Sequence, residues 1–196
     1  MPTFMLIAAN VAVYAYTCLL SGSTTTSDAV VYNYGQYNLK VFNGEVWRLI
    51  TAMFIHADIT HIVGNMLFLF IFGLRAEKMF DLKEYFGIYF LSGLTGGLLT
   101  LLMGPNTISI GASGAIFGII GASIIYPSRG IGHSIITALL YSFFLLIINS
   151  ISPDVNVFAH LGGLLVGLGV GYVLAATRRQ GRLVTYKYNY PSSYGT

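Results

Sequence analysis

The sequence is poor in charged residues and in cysteine. Among its 196 residues only 9% are Asp, Glu, Lys or Arg, whereas 55% are hydrophobic and the mean hydropathy is +0.72. Soluble domains carry about 25% charged residues, so this composition excludes an ordinary soluble domain and predicts an integral membrane protein. The single cysteine, Cys18, excludes an internal disulfide and a cysteine-built metal site.

Sequence signals for nucleic-acid binding and for metal binding are also missing. The pI is about 9.0, but the ten Lys and Arg residues are too few and too scattered to form a patch that follows phosphates. The histidines include no H-E-x-x-H motif or similar pair with a carboxylate base, which argues against zinc. We therefore expect no nucleic-acid partner and no metal.

Six apolar runs dominate what is present. They predict membrane helices at residues 2–20, 60–76, 85–103, 113–126, 134–151 and 157–176. The first run could also be a signal peptide, but no Lys or Arg precedes it and no convincing small-x-small cleavage site follows it. The fourth run has about 14 residues, or roughly 21 Å of helix, so its start should lie below the membrane surface.

These runs predict an all-α, polytopic bundle of six transmembrane helices around a short fourth helix. Residues 1–177 would form this core, and residues 178–196 a basic, Tyr-rich, poorly ordered tail. The positive-inside rule then places both termini in the cytoplasm. Only Lys40 and Arg48 fall on the opposite side, and the basic residues on the tail side are Arg75, Lys78, Lys83, Arg129, Arg178, Arg179, Arg182 and Lys187.

The segment between the first two spans, residues 21–48, is too polar for lipid and predicts a loop with some internal structure. Trp47 and Arg48 stand just before the next apolar segment. An aromatic ring and a snorkelling cation both suit the membrane interface, so the sequence favours an interface anchor at this position.

Polar residues from three distant segments fall at one predicted depth, near the outer ends of their helices. His61 and Asn65 are four residues apart and share a helix face, while His56 falls at the junction between loop and helix. Ser113 begins the short fourth helix, and His160 lies near the outer end of the sixth. Because ionisable groups at membrane depth are costly, a cluster of them indicates function.

Small residues predict how two of these helices approach each other. The fourth span carries Gly114, Gly118 and Ala122, and the sixth carries a glycine at every fourth position. Such stripes let helix backbones pack closely, which would bring Ser113 within reach of His160. The glycines of the sixth span are Gly163, Gly167 and Gly171.

A serine beside a histidine base is a nucleophile arrangement, and it indicates acyl transfer. At a helix N-terminus the Ser113 amide would help to stabilise an oxyanion, with His61 and Asn65 as possible side-chain donors. Each element has a simpler interpretation: Gly-Ala-Ser-Gly as helix packing, and a lone histidine as a hydrogen-bonded structural residue. Their conjunction at one depth favours catalysis.

Three motifs together resemble the rhomboid family of intramembrane serine proteases, across the whole six-span core. They are Gly111-Ala112-Ser113-Gly114, His56-x4-His61-x3-Asn65 and Ala159-His160-x2-Gly163-x3-Gly167. Trp47-Arg48 and Glu77 also fit the family pattern.

The resemblance implies a Ser113–His160 dyad and an oxyanion site formed by His61, Asn65 and the Ser113 amide, with Gly111 supporting the site and His56 as a structural neighbour. It implies cleavage of transmembrane proteins near their outer ends, in the cell membrane and on the extracytoplasmic side, without a cofactor. Arg48 and Glu77 would make structural hydrogen bonds, and the fifth span with the loop at Asp154 would form a gate.

One position departs from the family pattern. Phe117 stands where many members have Tyr, so it can stack on His160 but lacks a hydroxyl.

Two other functions stay open. A proteolytically inactive rhomboid-like binding or quality-control module would keep the fold but should lack Ser113 or His160. A transporter or channel would need polar residues that continue toward the cytoplasmic side, and the inner halves of these spans are nearly uniformly apolar.

Overall fold

The computed structural model describes residues 1–128, 135–148 and 155–188. Several predicted features therefore lie outside the described residues: the two ends of the fifth span, Arg129, Asp154 and the last eight residues of the tail. The fold within the described ranges is almost entirely helical.

Nine α-helices are described in these ranges. They are α1 (Pro2–Ser21), α2 (Asp28–Tyr34), α3 (Asn38–Phe42), α4 (Arg48–Thr51), α5 (Ile59–Ala76), α6 (Leu82–Thr100), α7 (Ser113–Ser128), α8 (Ile135–Ile148) and α9 (Val157–Tyr188). Two 3-10 turns, Ala52–Phe54 and Leu101–Met103, follow α4 and α6. The strands β1 (Gln36–Tyr37) and β2 (Ile108–Ser109) pair antiparallel, with Gln36 opposite Ser109.

Four of the described helices are long and apolar enough to cross a membrane: α1, α5, α6 with its 3-10 extension, and the first 22 residues of α9. Two more, α7 and α8, are apolar but shorter. Large hydrophobic side chains on the outer surfaces of these helices are exposed, as expected where lipid rather than water is the solvent. The chain is an integral membrane protein.

Two details differ from the sequence predictions. The short β1–β2 pair interrupts the predicted all-α fold, because the segment before Ser113 finds backbone partners in the loop after α1. The last helix runs past Ala176, the predicted end of the sixth span, to Tyr188. Loss of apolar character at Arg178 ends a membrane span, but the segment that follows, up to Tyr188, contains no proline and only one glycine, so the helix can continue.

The short helix α7 lies at the centre of the bundle and packs against α5, α6, α8 and α9. Its side chains are buried around the whole helix rather than along one stripe, as expected for a helix enclosed by others. Its fully enclosed residues include Ile116, Ile119, Ile120, Ala122 and Ile125.

The predicted glycine stripes form the contact between α7 and α9. A Cβ on Gly163 would overlap the carbonyl oxygen of Gly114, and one on Gly167 would overlap that of Gly118. The close backbone approach predicted from the sequence is therefore confirmed, and it aligns the first turns of the two helices.

The loop after α1 is a folded unit built around Arg48. Its guanidinium is almost fully buried, donates to the carbonyls of Tyr32 and Gly35 at 2.9 and 2.7 Å, and pairs with Glu45 at 2.7 Å. The interpretation of Arg48 as a snorkelling cation was wrong, because the guanidinium is buried, with loop carbonyls as hydrogen-bond acceptors and Glu45 as its charge partner. Trp47 remains partly exposed beside the guanidinium.

The remaining structural residue implied by the resemblance, Glu77, also makes a hydrogen bond. Its Oε1 accepts from the backbone N–H of Thr3 at 2.8 Å, and the Thr3 hydroxyl lies 2.9 Å from the Tyr85 hydroxyl. These contacts join α1 to α5 and α6. The first helix is thereby held to the bundle at the end where the chain begins.

Candidate active site

The segment before Ser113 is shaped by one glycine. Gly111 has φ +114°, a conformation that a residue with a Cβ rarely adopts, and its N–H donates to the Ala52 carbonyl at 2.9 Å. Ala112 is fully buried, and α7 begins at Ser113. The helix start predicted from the sequence is confirmed, and it leaves the first-turn N–H groups of α7 without partners inside the helix.

His160 lies in the first turns of α9, four residues after Asn156, whose carbonyl accepts the His160 N–H at 3.3 Å. The side chain is 5% exposed. Its ring lies against the Phe117 ring from α7, with centroids 4.5 Å apart and planes at 31°. Phe117 thus makes the ring contact expected of it.

His61 and Asn65 lie one turn apart at the start of α5. The Nδ1 of His61 accepts from the Ala57 N–H at 3.4 Å, so a neutral ring carries its proton on Nε2. A Cβ added to Gly111 would lie only 2.8 Å from that Nε2, so the His61 ring lies directly beside Gly111. Asn65 uses one amide hydrogen on the His61 carbonyl at 2.9 Å, which leaves the second available.

His56 lies in the turn before α5, as predicted, and is completely buried. Its carbonyl accepts from the Thr26 hydroxyl at 2.7 Å, and its ring meets that of His61 edge-on with centroids 5.0 Å apart. Burial, together with the neighbouring His61, lowers the pKa of His56 to about 4. His56 is therefore a neutral packing partner of His61.

One cavity of about 770 Å³ brings these residues together. Ser113, His160, His61 and Asn65 all line it, as do Gly111 and Phe117. His56 does not line this cavity, but its ring packs edge-on against the ring of His61. Trp47, Arg48 and Glu77 lie elsewhere in the fold, and Gly163 and Gly167 act at the helix contact described above.

Sequence reasoning missed two residues at this site, both of which cap helices. Asp58 accepts the His61 N–H at 2.8 Å and so begins α5. The Asn156 side chain accepts the Ala159 N–H at 3.0 Å and begins α9. An Asp or Asn just before an apolar run is a helix-start signal, and it would have identified both.

Comparison with known proteins gives a consistent family match. The Rhomboid domain profile matches residues 43–177. "RHOMBOID-like protein 6, mitochondrial" of Arabidopsis thaliana is 42% identical over 148 residues, 72% of this chain and 48% of that protein. "RHOMBOID-like protein 1" of the same plant is 39% identical over 141 residues, 69% of this chain and 36% of that protein.

A third relative has the word protease in its name. "Rhomboid-like protease 3" of Toxoplasma gondii is 33% identical over 174 residues, 83% of this chain and 65% of that protein. The chain thus spans between about a third and two thirds of the length of these three relatives. Since the matched domain covers well over half of the chain and includes every residue of the candidate site, the chain belongs to the rhomboid family.

Proposed function

We propose that this protein is an intramembrane serine endopeptidase that uses Ser113 as nucleophile and His160 as general base. The observation that carries the proposal is the shared cavity, which is lined by a serine at the start of one helix, a histidine at the start of another and two side-chain donors of a third. The reaction is hydrolysis of a peptide bond through an acyl-enzyme.

His160 takes the hydroxyl proton of Ser113 as its oxygen attacks the scissile carbonyl, and then gives that proton to the leaving amine. The ring must keep one orientation for both transfers. Contact with Phe117 on one side and deep burial of the side chain support that orientation. A water molecule in the cavity, activated by the same histidine, then hydrolyses the ester.

The negative oxygen of the tetrahedral intermediate is stabilised by donors from two helices. The Ser113 N–H belongs to the first turn of α7, where the helix dipole also favours negative charge. The Nε2–H of His61 and the second amide hydrogen of Asn65 supply the side-chain donors, because His61 Nδ1 and the first Asn65 amide hydrogen already have backbone partners. Gly111 leaves room for the substrate oxygen between them.

The depth of the site determines the class of substrate. We place six spans in the membrane, with both termini in the cytoplasm and the cavity open to the extracytoplasmic side. With 16 residues, α7 is about 24 Å long and shorter than the ~30 Å hydrocarbon core, so Ser113 lies inside the outer leaflet. Substrates are transmembrane proteins whose helix unwinds near that depth, because helical carbonyls are already hydrogen-bonded.

The experiment is cleavage of a single-pass substrate by the purified protein in reconstituted bilayers. Ser113→Ala and His160→Ala should each abolish cleavage while thermal unfolding stays near that of the parent protein. A fluorophosphonate probe should label the parent protein and not the Ser113→Ala variant. Continued cleavage by Ser113→Ala would refute the proposal.

The same experiment separates the alternative of an inactive binding module. Such a module would bind the substrate in co-purification but would neither cleave it nor react with the probe. The cell membrane is the compartment we propose, although one relative carries "mitochondrial" in its name. Fractionation of cells expressing the tagged protein tests this compartment directly.

A further inference from the structure

Asn156 lies at the rim of the cavity, where α9 begins, and its whole side chain is used in hydrogen bonds. Its Nδ2 donates to the Thr100 hydroxyl at 2.7 Å and to the Ser109 hydroxyl at 2.9 Å. Its Oδ1 accepts the Ala159 N–H at 3.0 Å. Both amide hydrogens and the carbonyl oxygen therefore have partners in three separate elements.

The two acceptors belong to elements that determine where Ser113 lies. Ser109 is in β2, four residues before Ser113, and pairs across the strands with Gln36. Thr100 ends α6, is completely buried, and its hydroxyl donates to the Gly96 carbonyl at 2.9 Å. Asn156 thus contacts both the strand that leads to the serine and the helix that supports it.

On its own helix, Asn156 organises the turn that carries His160. Its side chain takes the Ala159 N–H and its backbone carbonyl takes the His160 N–H at 3.3 Å. Ala159 is also where α9 touches its neighbours: a Cβ on Gly96 would lie 2.5 Å from the Ala159 carbonyl oxygen, and one on Gly114 would lie 3.1 Å from it.

We infer that Asn156 is a positioning residue that holds the Ser113 strand and the His160 turn in register. This inference rests on the proposed protease function. A helix cap alone would need only the Oδ1 contact, whereas the two Nδ2 contacts cross to other elements and do nothing for the helix end itself. By linking these elements, the two Nδ2 contacts fix the distance between Ser113, the proposed nucleophile, and His160, its proposed base.

Asn156→Ser separates the two roles. Serine caps helices about as well as asparagine, but it is one atom too short to reach both Thr100 and Ser109. We expect Asn156→Ser to unfold near the parent temperature, with KM close to that of the parent and kcat lower by roughly 10- to 100-fold, because small misplacements of reacting groups have effects of that size. Labelling by a fluorophosphonate should slow in parallel.

Three further variants complete the test in reconstituted bilayers. Asn156→Ala should lose the cap as well, and so combine the low kcat with reduced thermal stability. Ser109→Ala should lower kcat in part, and adding it to Asn156→Ser should lower kcat no further. Leu168→Ala, a buried change two turns along the same helix, should lose stability without a comparable loss of kcat well below its unfolding temperature.

The possible results distinguish failure of this inference from failure of the proposed protease function. If the parent protein neither cleaves nor takes up the probe, the proposed function fails and the inference with it. If the parent cleaves and Asn156→Ser retains the parent kcat, Asn156 is only a cap and the inference alone is overturned. The inference is also overturned if kcat follows the unfolding temperature equally in Asn156→Ser and Leu168→Ala.

Discussion

Replacing Gly163 by alanine tests whether close contact between α7 and α9 sets the active geometry. The added methyl would overlap the Gly114 carbonyl oxygen and lie 2.7 Å from its carbon. Both belong to the backbone of α7, one residue after Ser113, so no side-chain rotation can relieve the overlap. The helix α9 has to move away from α7 and carry His160 with it.

The size of the effect follows from two opposing terms. Alanine is intrinsically better than glycine inside a helix by roughly 0.5–1 kcal/mol. Overpacking a tight contact costs about 1–3 kcal/mol. We expect the overlap to prevail, so that Gly163→Ala lowers the free energy of unfolding and reduces cleavage by about 100-fold, since separating reacting groups by about 1 Å has that effect.

The chain supplies a matched control on the same helix. A Cβ on Gly169 would meet nothing within 4 Å, so Gly169→Ala gains the helical preference without any overlap. Thermal unfolding and cleavage kinetics of the two variants, measured in the same lipid, give the comparison. Equal stability and equal activity in Gly163→Ala and Gly169→Ala would refute the argument that backbone contact at Gly114 positions His160.

Three further predictions concern the surroundings of the site. Arg48→Gln should lower the free energy of unfolding by about 1.5–3 kcal/mol, the usual contribution of hydrogen bonds to a charged group. Glu45→Gln should lower it less, because the Glu45 side chain is 38% exposed. Chemical unfolding of the two variants measures the difference. Phe117→Leu should lower kcat by up to about tenfold, since a ring contact contributes roughly 0.5–1.5 kcal/mol, and Phe117→Tyr should retain activity in the same cleavage assay. The free energy of unfolding should fall as the pH drops from about 6.5 to about 4, because His56 takes up a proton in the unfolded chain but stays neutral when it is buried in the fold. Unfolding measured against pH should show a smaller fall in His56→Asn.

Hydropathy and motif spacing predicted much of this fold because both follow from local rules. Apolar runs gave the membrane helices to within a few residues at most ends, and the glycine period predicted the α7–α9 contact. The start of α7 at Ser113 followed from small residues ahead of an apolar run. Each of these signals is a pattern among residues that are near one another in the chain.

Features that depend on long-range partners could not be predicted in this way. The burial of Arg48 requires the carbonyls of Tyr32 and Gly35, which nothing in the local sequence indicates as acceptors. The β1–β2 pair joins segments about 70 residues apart through only two residues each, too few for an alternating pattern. The contacts of Asn156 with Thr100 and Ser109 are of the same kind.

The enclosure of α7 by its neighbours separates Ser113, the proposed nucleophile, from changes in bilayer thickness. Helices that face lipid respond to a thicker or thinner hydrocarbon core by tilting, and α1, α5 and α6 all have lipid-exposed residues. The side chains of α7 instead meet protein on nearly every side. In membranes of different thickness, the depth of the scissile bond should therefore vary through the tilt of the substrate helix more than through the position of Ser113.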